Sequence, residues 1–259
     1  MKVLALDSSG LVASVAVVED DGVNSSLLAE YTVNYKKTHS QTLLPMLDEI
    51  VKMIDLDLKT IDAIAVAAGP GSFTGLRIGS ATAKGLGLAL NKPLVGIPTV
   101  DGLAYNLYGT DCVICPLMDA RRNQVYTGIY EFRDGQLAVI ESQMAVSIEE
   151  IAQKLCELDR KVIFLGDGVP VFQERLRESL MQGRQIFFAP PHLSKQRAGA
   201  VGALALQYIR EGKIESAAEH QPDYLRLSQA ERERAEQEKA EKKHDSQNDR
   251  SRSVSCCPA

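Results

Sequence analysis

A glycine-rich stretch, GPGSFTGLRIG at residues 69–79, follows an apolar run and precedes a segment that can form a helix. This arrangement is typical of loops that bind phosphate at the start of a helix. A Walker loop needs lysine and then serine or threonine after its last glycine, but Leu76 and Arg77 follow Gly75. A dinucleotide fingerprint needs glycine where the chain has Thr74. The stretch therefore matches neither nucleotide-binding motif.

Two turns after apolar strands carry polar residues that could face a phosphate group. They follow Asp7 and Asp119, each of which ends a strand-like run. The candidate phosphate-facing residues are Ser8, Ser9, Arg121 and Arg122. Hydroxyl and guanidinium groups both bind anions. The first glycine after Asp7 is Gly10, however, so the position at which glycine lets the backbone approach a phosphate closely is shifted along the turn. We expect weak or no ATP binding by the chain alone, and surface salt bridges are the alternative role of the arginines.

Residue types used in metal-dependent or nucleophilic catalysis form no recognisable motif. The four histidines are His39, His192, His220 and His244. Their spacing provides no His-x-x-x-His pair for a metal. Cys112 and Cys115 form a single C-x-x-C in an apolar strand and are expected to be core thiols. Ser72 lies in GPGSFTG rather than in a G-x-S-x-G elbow, so we interpret it as a helix N-cap. We predict no catalytic residue, no metal site and no cofactor for the isolated chain.

The order of apolar segments is repeated once along the chain. Each half reads as a strand ending in aspartate, two further strands, a helix, a buried strand, a glycine-rich turn, a second helix and a strand. The helices are predicted near residues 42–55, 75–90, 148–158 and 170–182. This order predicts an α/β protein with two subdomains of mixed sheets flanked by helices. The predicted N-terminal subdomain spans 1–102, with 215–228 as a segment that could join it, and the C-terminal subdomain spans 103–214.

The helix at 75–90 carries small residues at intervals of four, which places them along one ridge. Glycine inside a helix costs about 0.8–1 kcal/mol relative to alanine, so another backbone is expected to approach closely. The chain's own sheet could be that neighbour, but the helix at 42–55, apolar on most sides, favours a contact with a second protein. The predicted interface residues are Leu43, Leu47, Ile50, Ile54, Gly75, Gly79, Ala83 and Gly87. On this hypothesis, a large residue at Gly79 abolishes association and leaves the monomer folded.

The bulk composition is that of an ordinary globular protein. The chain has 259 residues, 45% of them hydrophobic, and a net charge of −5, so no overall basic character attracts nucleic acid. No apolar run is long enough to span a membrane, and five scattered cysteines suit a reduced cytoplasm, where we expect the protein. Residues 229–259 hold seven Lys/Arg, seven Asp/Glu and very few apolar residues, which predicts a charged, disordered tail.

Six segments, taken in order, resemble the TsaB (YeaZ) family over residues 1 to about 228. They are LALDSS, THSQTLLPMLDE, DAIAVAAGPGSFTGLRIGSATAKGLGLAL, GIPTVDGLA, MDARRNQVY and PDYLR. The resemblance implies a duplicated, RNase H-like fold of the actin, Hsp70 and sugar-kinase type. It also implies a role in threonylcarbamoylation of the adenosine beside the anticodon of tRNA.

The resemblance further implies a set of partners. In the TsaB family the protein is a non-catalytic subunit that supports a TsaD-like catalytic paralogue and works with a TsaE-like ATPase. We therefore expect tRNA to be reached only through the complex, ATP or ADP to bind only in the assembled complex, and the isolated chain to form a homodimer. A glycoprotease-like peptidase and a weakly ATP-binding enzyme of the sugar-kinase type are the alternatives.

Overall fold

Five strands in the first half of the chain form a mixed sheet. The computed structural model describes residues 1–35 and 38–225. The strands are β1 (Lys2–Asp7), β2 (Ala13–Asp20), β3 (Ser25–Val33), β4 (Ala63–Gly69) and β5 (Leu94–Pro98). Their order in the sheet is β3-β2-β1-β4-β5; β1, β2 and β3 are antiparallel neighbours, and β4 and β5 run parallel to β1.

The second half builds a sheet with the same plan. Its strands are β6 (Val113–Asp119), β7 (Gln124–Arg133), β8 (Gln136–Ser147), β9 (Val162–Leu165) and β10 (Ile186–Phe188). Their order is β10-β9-β6-β7-β8, with an antiparallel β6-β7-β8 meander and parallel β9 and β10. The sequence-based prediction of a duplicated α/β fold with two mixed sheets is therefore confirmed.

Helices cover both faces of each sheet. They are α1 (His39–Met53), α2 (Phe73–Leu90), α3 (Thr99–Tyr105), α4 (Ile148–Leu158), α5 (Val169–Arg175, continued by a π-helical turn Leu176–Leu180) and α6 (Ala198–Arg210). Strand β1 alternates its side chains, so that Leu4 and Leu6 pack with α1 while Val3 and Ala5 pack with α6. In the second sheet, α4 and α5 cover one face and α3 covers the other. Helices therefore pack on both faces of each sheet, although β3 at the edge of the first sheet stays largely exposed.

Helix α2 is defined by polar caps at both ends. The Ser72 hydroxyl accepts a hydrogen bond from the amide of Gly75 at 3.3 Å, which confirms its predicted role as an N-cap. Asn91 ends the helix in the left-handed conformation, and the amide of Lys92 bonds to the carbonyl of Gly87. These caps fix where the glycine-rich segment begins and ends as a helix.

Residues Met1–Leu225 form one compact unit. Helix α6 packs on the first sheet although the predicted C-terminal subdomain includes it, and residue Glu215 forms an antiparallel bridge with Leu94 of β5. The predicted division at residue 102 stays a prediction. The predicted tail at 229–259 lies outside the described residues. Within residues 1–35 and 38–225, none of the helices is both long and apolar enough to cross a lipid bilayer.

Candidate functional site

The small-residue ridge of α2 faces the chain's own sheet. Gly75, Gly79, Ala83 and Gly87 are all buried. A β-carbon at Gly75 would overlap the carbonyl oxygen of Ser8, and one at Gly79 would lie 2.5 Å from Ser8 Oγ. At Gly87 it would lie 2.5 Å from a methyl group of Leu94. The prediction that this ridge contacts a partner is therefore wrong, because strands β4 and β5 and the turn after β1 occupy the space beside it.

The predicted contact residues of α1 are also turned inwards. Leu43, Leu47 and Ile50 are buried in the core formed with the first sheet, and Ile54 is partly buried against the same core. Their assignment to a partner contact is wrong for the first three. The widest apolar stripe of an amphipathic helix covers its own sheet, and only what is left over faces outwards.

A second stripe of small and apolar residues lies on the opposite side of α2. We call it the outer face and define it by Thr74, Ile78, Ala81, Gly85 and Leu88. Leu88 is 67% exposed, and a β-carbon at Gly85 would meet no atom of the described residues within 4 Å. Sequence reasoning missed this face, although Ala81, Gly85 and Ala89 repeat every four residues just as the buried ridge does.

Two neighbours hold the flanks of α2. On one side, Leu86 and Leu90 pack into the core that also contains Val51 and Ile54 of α1. Leu44 shares the edge of α1 with Val51, seven residues away, and is 53% exposed. On the other side runs the segment 215–225, whose His220 contacts Ser80 of α2. Nothing in residues 1–35 and 38–225 covers the outer face between these two flanks.

The turn after β1 closes against the start of α2. Asp7 is buried and accepts hydrogen bonds from the Ser9 amide at 2.9 Å and the Ser9 hydroxyl at 2.6 Å. Ser8 donates its hydroxyl to the carbonyl of Gly75 at 2.9 Å, and the amide of Ser72 donates to the carbonyl of Ser9 at 2.7 Å. Burial raises the pKa of Asp7 to about 6. The prediction that Ser8 and Ser9 face a phosphate is wrong, because both hydroxyls are buried and used inside the chain.

The turn after β6 is built differently. Arg121 donates its amide to Asp119 at 2.8 Å, and its guanidinium lies 3.1 Å from the same carboxylate. Arg121, Arg122 and Asn123 all have positive φ, at 64°, 53° and 60°. Asn123 is fixed by two hydrogen bonds to Glu149 at 2.9 and 3.0 Å. Both arginines are exposed, so their role in facing a phosphate stays a prediction.

The histidines, acidic residues and cysteines within residues 1–35 and 38–225 are the candidate metal ligands and reactive groups. In the described part of the chain, no group of three or more His, Cys, Asp or Glu residues could hold a metal ion. Cys112 and Cys115 are buried free thiols, as their apolar strand predicted. Burial raises the pKa of Cys115 to about 12, which keeps it protonated and unreactive.

The two mixed sheets of like strand order, each with helices on both faces, define an α/β protein with a duplicated fold. The family model described as TsaD, tRNA N6-adenosine threonylcarbamoyltransferase, matches residues 26–234. The tRNA threonylcarbamoyladenosine biosynthesis protein TsaB of Bacillus subtilis is 33% identical over 234 residues, covering 89% of this chain and 96% of the relative. TsaB of Escherichia coli is 30% identical, over 87% of this chain and 95% of the relative.

Solved structures agree with these relatives. A Pseudomonas aeruginosa protein described as similar to peptidase YEAZ superposes with a TM-score of 0.74 at 27% identity, covering 87% of this chain and 99% of its own. YeaZ from the same organism gives a TM-score of 0.71 at 27% identity, covering 86% of this chain and 99% of its own. The chain belongs to the TsaB (YeaZ) family of tRNA threonylcarbamoyladenosine biosynthesis proteins.

Proposed function

We propose that this chain is the non-catalytic subunit of a threonylcarbamoyl transferase complex and binds a TsaD-like catalytic paralogue through the outer face of α2. The observation that carries the proposal is Gly85. Glycine inside a helix costs about 0.8–1 kcal/mol relative to alanine. The chain's own atoms account for the glycines of the buried ridge, but nothing in the described residues lies within 4 Å of a β-carbon at Gly85. A neighbouring chain that approaches the helix closely is the explanation.

The chemistry of the outer face fits this role. Ile78, Ala81, Gly85 and Leu88 form an apolar strip without an acidic residue, and Leu44 of α1 lies beside it. Exposed apolar surface of this kind is typical of protein interfaces. A helix from a paralogue with the same fold can pack here at short distance, because small residues remove the side chains that would hold two helices apart. The same face would pair two copies when the chain is isolated, since one surface patch can contact its own symmetry mate.

The remaining parts of the proposal are supported by family membership. Transfer chemistry belongs to the paralogue, a TsaE-like ATPase is a further component, and tRNA is held mainly by the other subunits because this chain has a net charge of −5. ATP or ADP binds only in the assembled complex, since the hydroxyls of Ser8 and Ser9 are already used within this chain. The complex works in the cytoplasm, where tRNA is modified.

The test compares Gly85→Leu with the wild-type chain. Leucine at position 85 stands in open space in the monomer but would block a closely packed helix, so the variant should fold normally. It should bind the purified TsaD-like paralogue at least tenfold more weakly in calorimetry. A reconstituted assay for N6-threonylcarbamoyladenosine should lose activity in parallel. Full affinity and full tRNA modification with Gly85→Leu would overturn the proposed site.

A further inference from the structure

A serine, a histidine and a glutamate are joined by hydrogen bonds beside α2. Ser80 Oγ lies 3.0 Å from His220 Nε2, and His220 Nδ1 lies 2.6 Å from Glu215 Oε1. Ser80 belongs to α2, whereas Glu215 and His220 belong to the segment 215–225 that follows α6, which we call the strap. No local sequence pattern pairs His220 with Ser80, because 140 residues separate them.

This trio has the bonding order of a hydrolase triad, but it is sealed. Ser80 is 4% exposed, and His220 is 1% exposed. A nucleophilic serine must reach a substrate carbonyl beside an oxyanion hole. Ser80 instead lies within the helix, on the flank covered by the strap. The three groups therefore hold two segments together rather than attack a substrate.

The first half of the strap is anchored along the C-terminal part of α2. Glu215 and Leu94 exchange two backbone hydrogen bonds of 2.9 Å, which add the strap to the edge of β5. Ala217 is buried in the core beside Gly87. Lys84 donates from Nζ to the carbonyls of Ala218 at 3.1 Å and His220 at 2.9 Å.

The second half of the strap reaches the N-terminal end of the helix. The amide of Asp223 donates to the carbonyl of Ala68 at 2.7 Å. The ring of Tyr224 lies 4.9 Å from that of Phe73, and the guanidinium of Arg77 lies 4.0 Å over the same Phe73 ring. The strap thus follows the flank of α2 from Gly87 to Phe73.

A helix that packs on glycines depends on further contacts, such as those of the strap, to fix its orientation on the sheet. Interlocking side chains normally fix the rotation and axial position of a helix on its sheet. The buried ridge of α2 offers only hydrogen and methyl groups to the sheet, so directional hydrogen bonds add to the constraint that Leu86 and Leu90 supply by packing into the core beside it. Within the described residues, those bonds include Ser8 to Gly75 on the sheet side and the bonds of His220 and Lys84 on the strap side.

We propose that His220 is a positioning residue, which fixes the orientation of α2 through Ser80 and so couples the seating of the strap to partner binding on the outer face. The inference rests on the proposed function. Coupling between two sites is reciprocal, so a partner that needs the correctly oriented helix must also stabilise the strap. The partner need not touch the strap for this effect.

The experiment uses the full chain with His220→Ala, His220→Gln and Ser80→Ala, and with His192→Ala as the control for loss of an exposed histidine. Hydrogen exchange at the amides of His220 and Asp223 reports strap seating, and calorimetry reports affinity for the purified TsaD-like paralogue. His220→Ala should speed strap exchange and weaken binding about tenfold, within the usual range of coupling. His220→Gln should restore part of both, because its amide can still reach Ser80. His192→Ala should change neither.

If His220→Ala does not fold, Ser80→Ala tests the same proposal, because it removes the hydrogen bond between Ser80 and His220 with little change in side-chain volume. Saturating wild-type chain with the paralogue should slow exchange at Asp223 at least severalfold. Unchanged strap exchange on partner binding, or full affinity in folded Ser80→Ala and His220→Ala, would overturn the coupling alone. Failure of the wild-type chain to bind the paralogue would instead overturn the proposed function and the coupling with it. Labelling of Ser80 by a fluorophosphonate would contradict the sealed arrangement.

Discussion

The two sides of α2 have similar sequences, but one is buried against the chain's own sheet and the other is exposed. On the inner side, Gly75, Gly79 and Gly87 lie where a β-carbon would collide with the chain's own atoms. On the outer side, a β-carbon at Gly85 would touch no atom in the part of the chain that the structure describes. Both sides repeat small residues every four positions, so spacing marks where a backbone can approach but does not say whose backbone it is. In the folded chain the inner side is filled by the chain's own atoms, whereas Gly85 and Leu88 on the outer side are exposed.

The largest effect should follow from filling the inner side. A β-carbon at Gly79 would lie 2.5 Å from Ser8 Oγ and 3.6 Å from a methyl group of Val66. Gly79→Leu would force α2 off the sheet, and we expect a loss of about 3 kcal/mol or more in the free energy of unfolding, at or above the upper end for overpacked cores. Urea denaturation of Gly79→Leu beside Gly85→Leu measures this. A normally folded Gly79→Leu chain that only fails to associate would restore the original hypothesis of an outward-facing ridge.

The second prediction concerns the turn after β1, which packs against the inner side of α2 and buries Asp7. Burial raises the pKa of Asp7 to about 6 from 3.8. The folded state therefore holds the proton more tightly than the unfolded state, so this contribution to the free energy of unfolding falls as pH rises from about 4 to about 6 and is level above that. Two pKa units correspond to about 3 kcal/mol.

Asp7→Asn removes this titration while its amide oxygen can still accept both hydrogen bonds from Ser9. Urea denaturation between pH 4 and pH 8 should show a flatter profile for Asp7→Asn and a gain of up to about 3 kcal/mol at pH 7. If wild type and variant have parallel profiles, the carboxylate is not buried as the structure has it, and the turn does not seal the inner side.

The smallest expected change in stability comes from the N-cap of α2, which belongs to neither side. Ser72→Ala removes the N-cap hydrogen bond to Gly75 and should cost about 1 kcal/mol of stability. Partner binding should be unchanged, because Ser72 precedes the outer face. The same variant tests the peptidase alternative. A purified chain that cleaves a peptide, with cleavage lost in Ser72→Ala, would identify Ser72 as a nucleophile rather than a cap.

The sequence predicted the fold better than the site. Alternating apolar strands, aspartates at strand ends and glycine-rich turns recur in both halves, which is enough to predict the duplicated sheets. The predicted helices at 42–55 and 75–90 correspond to α1 and α2. Helix α6 was not predicted; its sequence, AGAVGALALQYIR, is apolar on most sides, and no side-chain cap marks its start. Such a helix lacks the polar stripe that makes periodicity visible.

The site was predicted on the correct helix but on the wrong side. Deciding between the ridge at Gly75 and the stripe at Gly85 requires knowing where β1 lies, and that depends on pairing between distant strands. The contact between Ser80 and His220 could not be predicted from the sequence either, because it joins segments 140 residues apart. Local patterns identified small residues and caps, whereas tertiary structure determined which of them are free.

The most direct test of the difference between the two sides is one substitution made twice. Gly75→Ala and Gly85→Ala add the same methyl group to the same helix, and urea denaturation gives the free energy of unfolding of each. Because a β-carbon at Gly75 collides with the carbonyl of Ser8, the first variant should lose about 2 kcal/mol or more. The second should gain up to about 1 kcal/mol from helix propensity. Equal changes in the two variants, or a loss at Gly85 alone, would contradict the assignment of inner and outer faces.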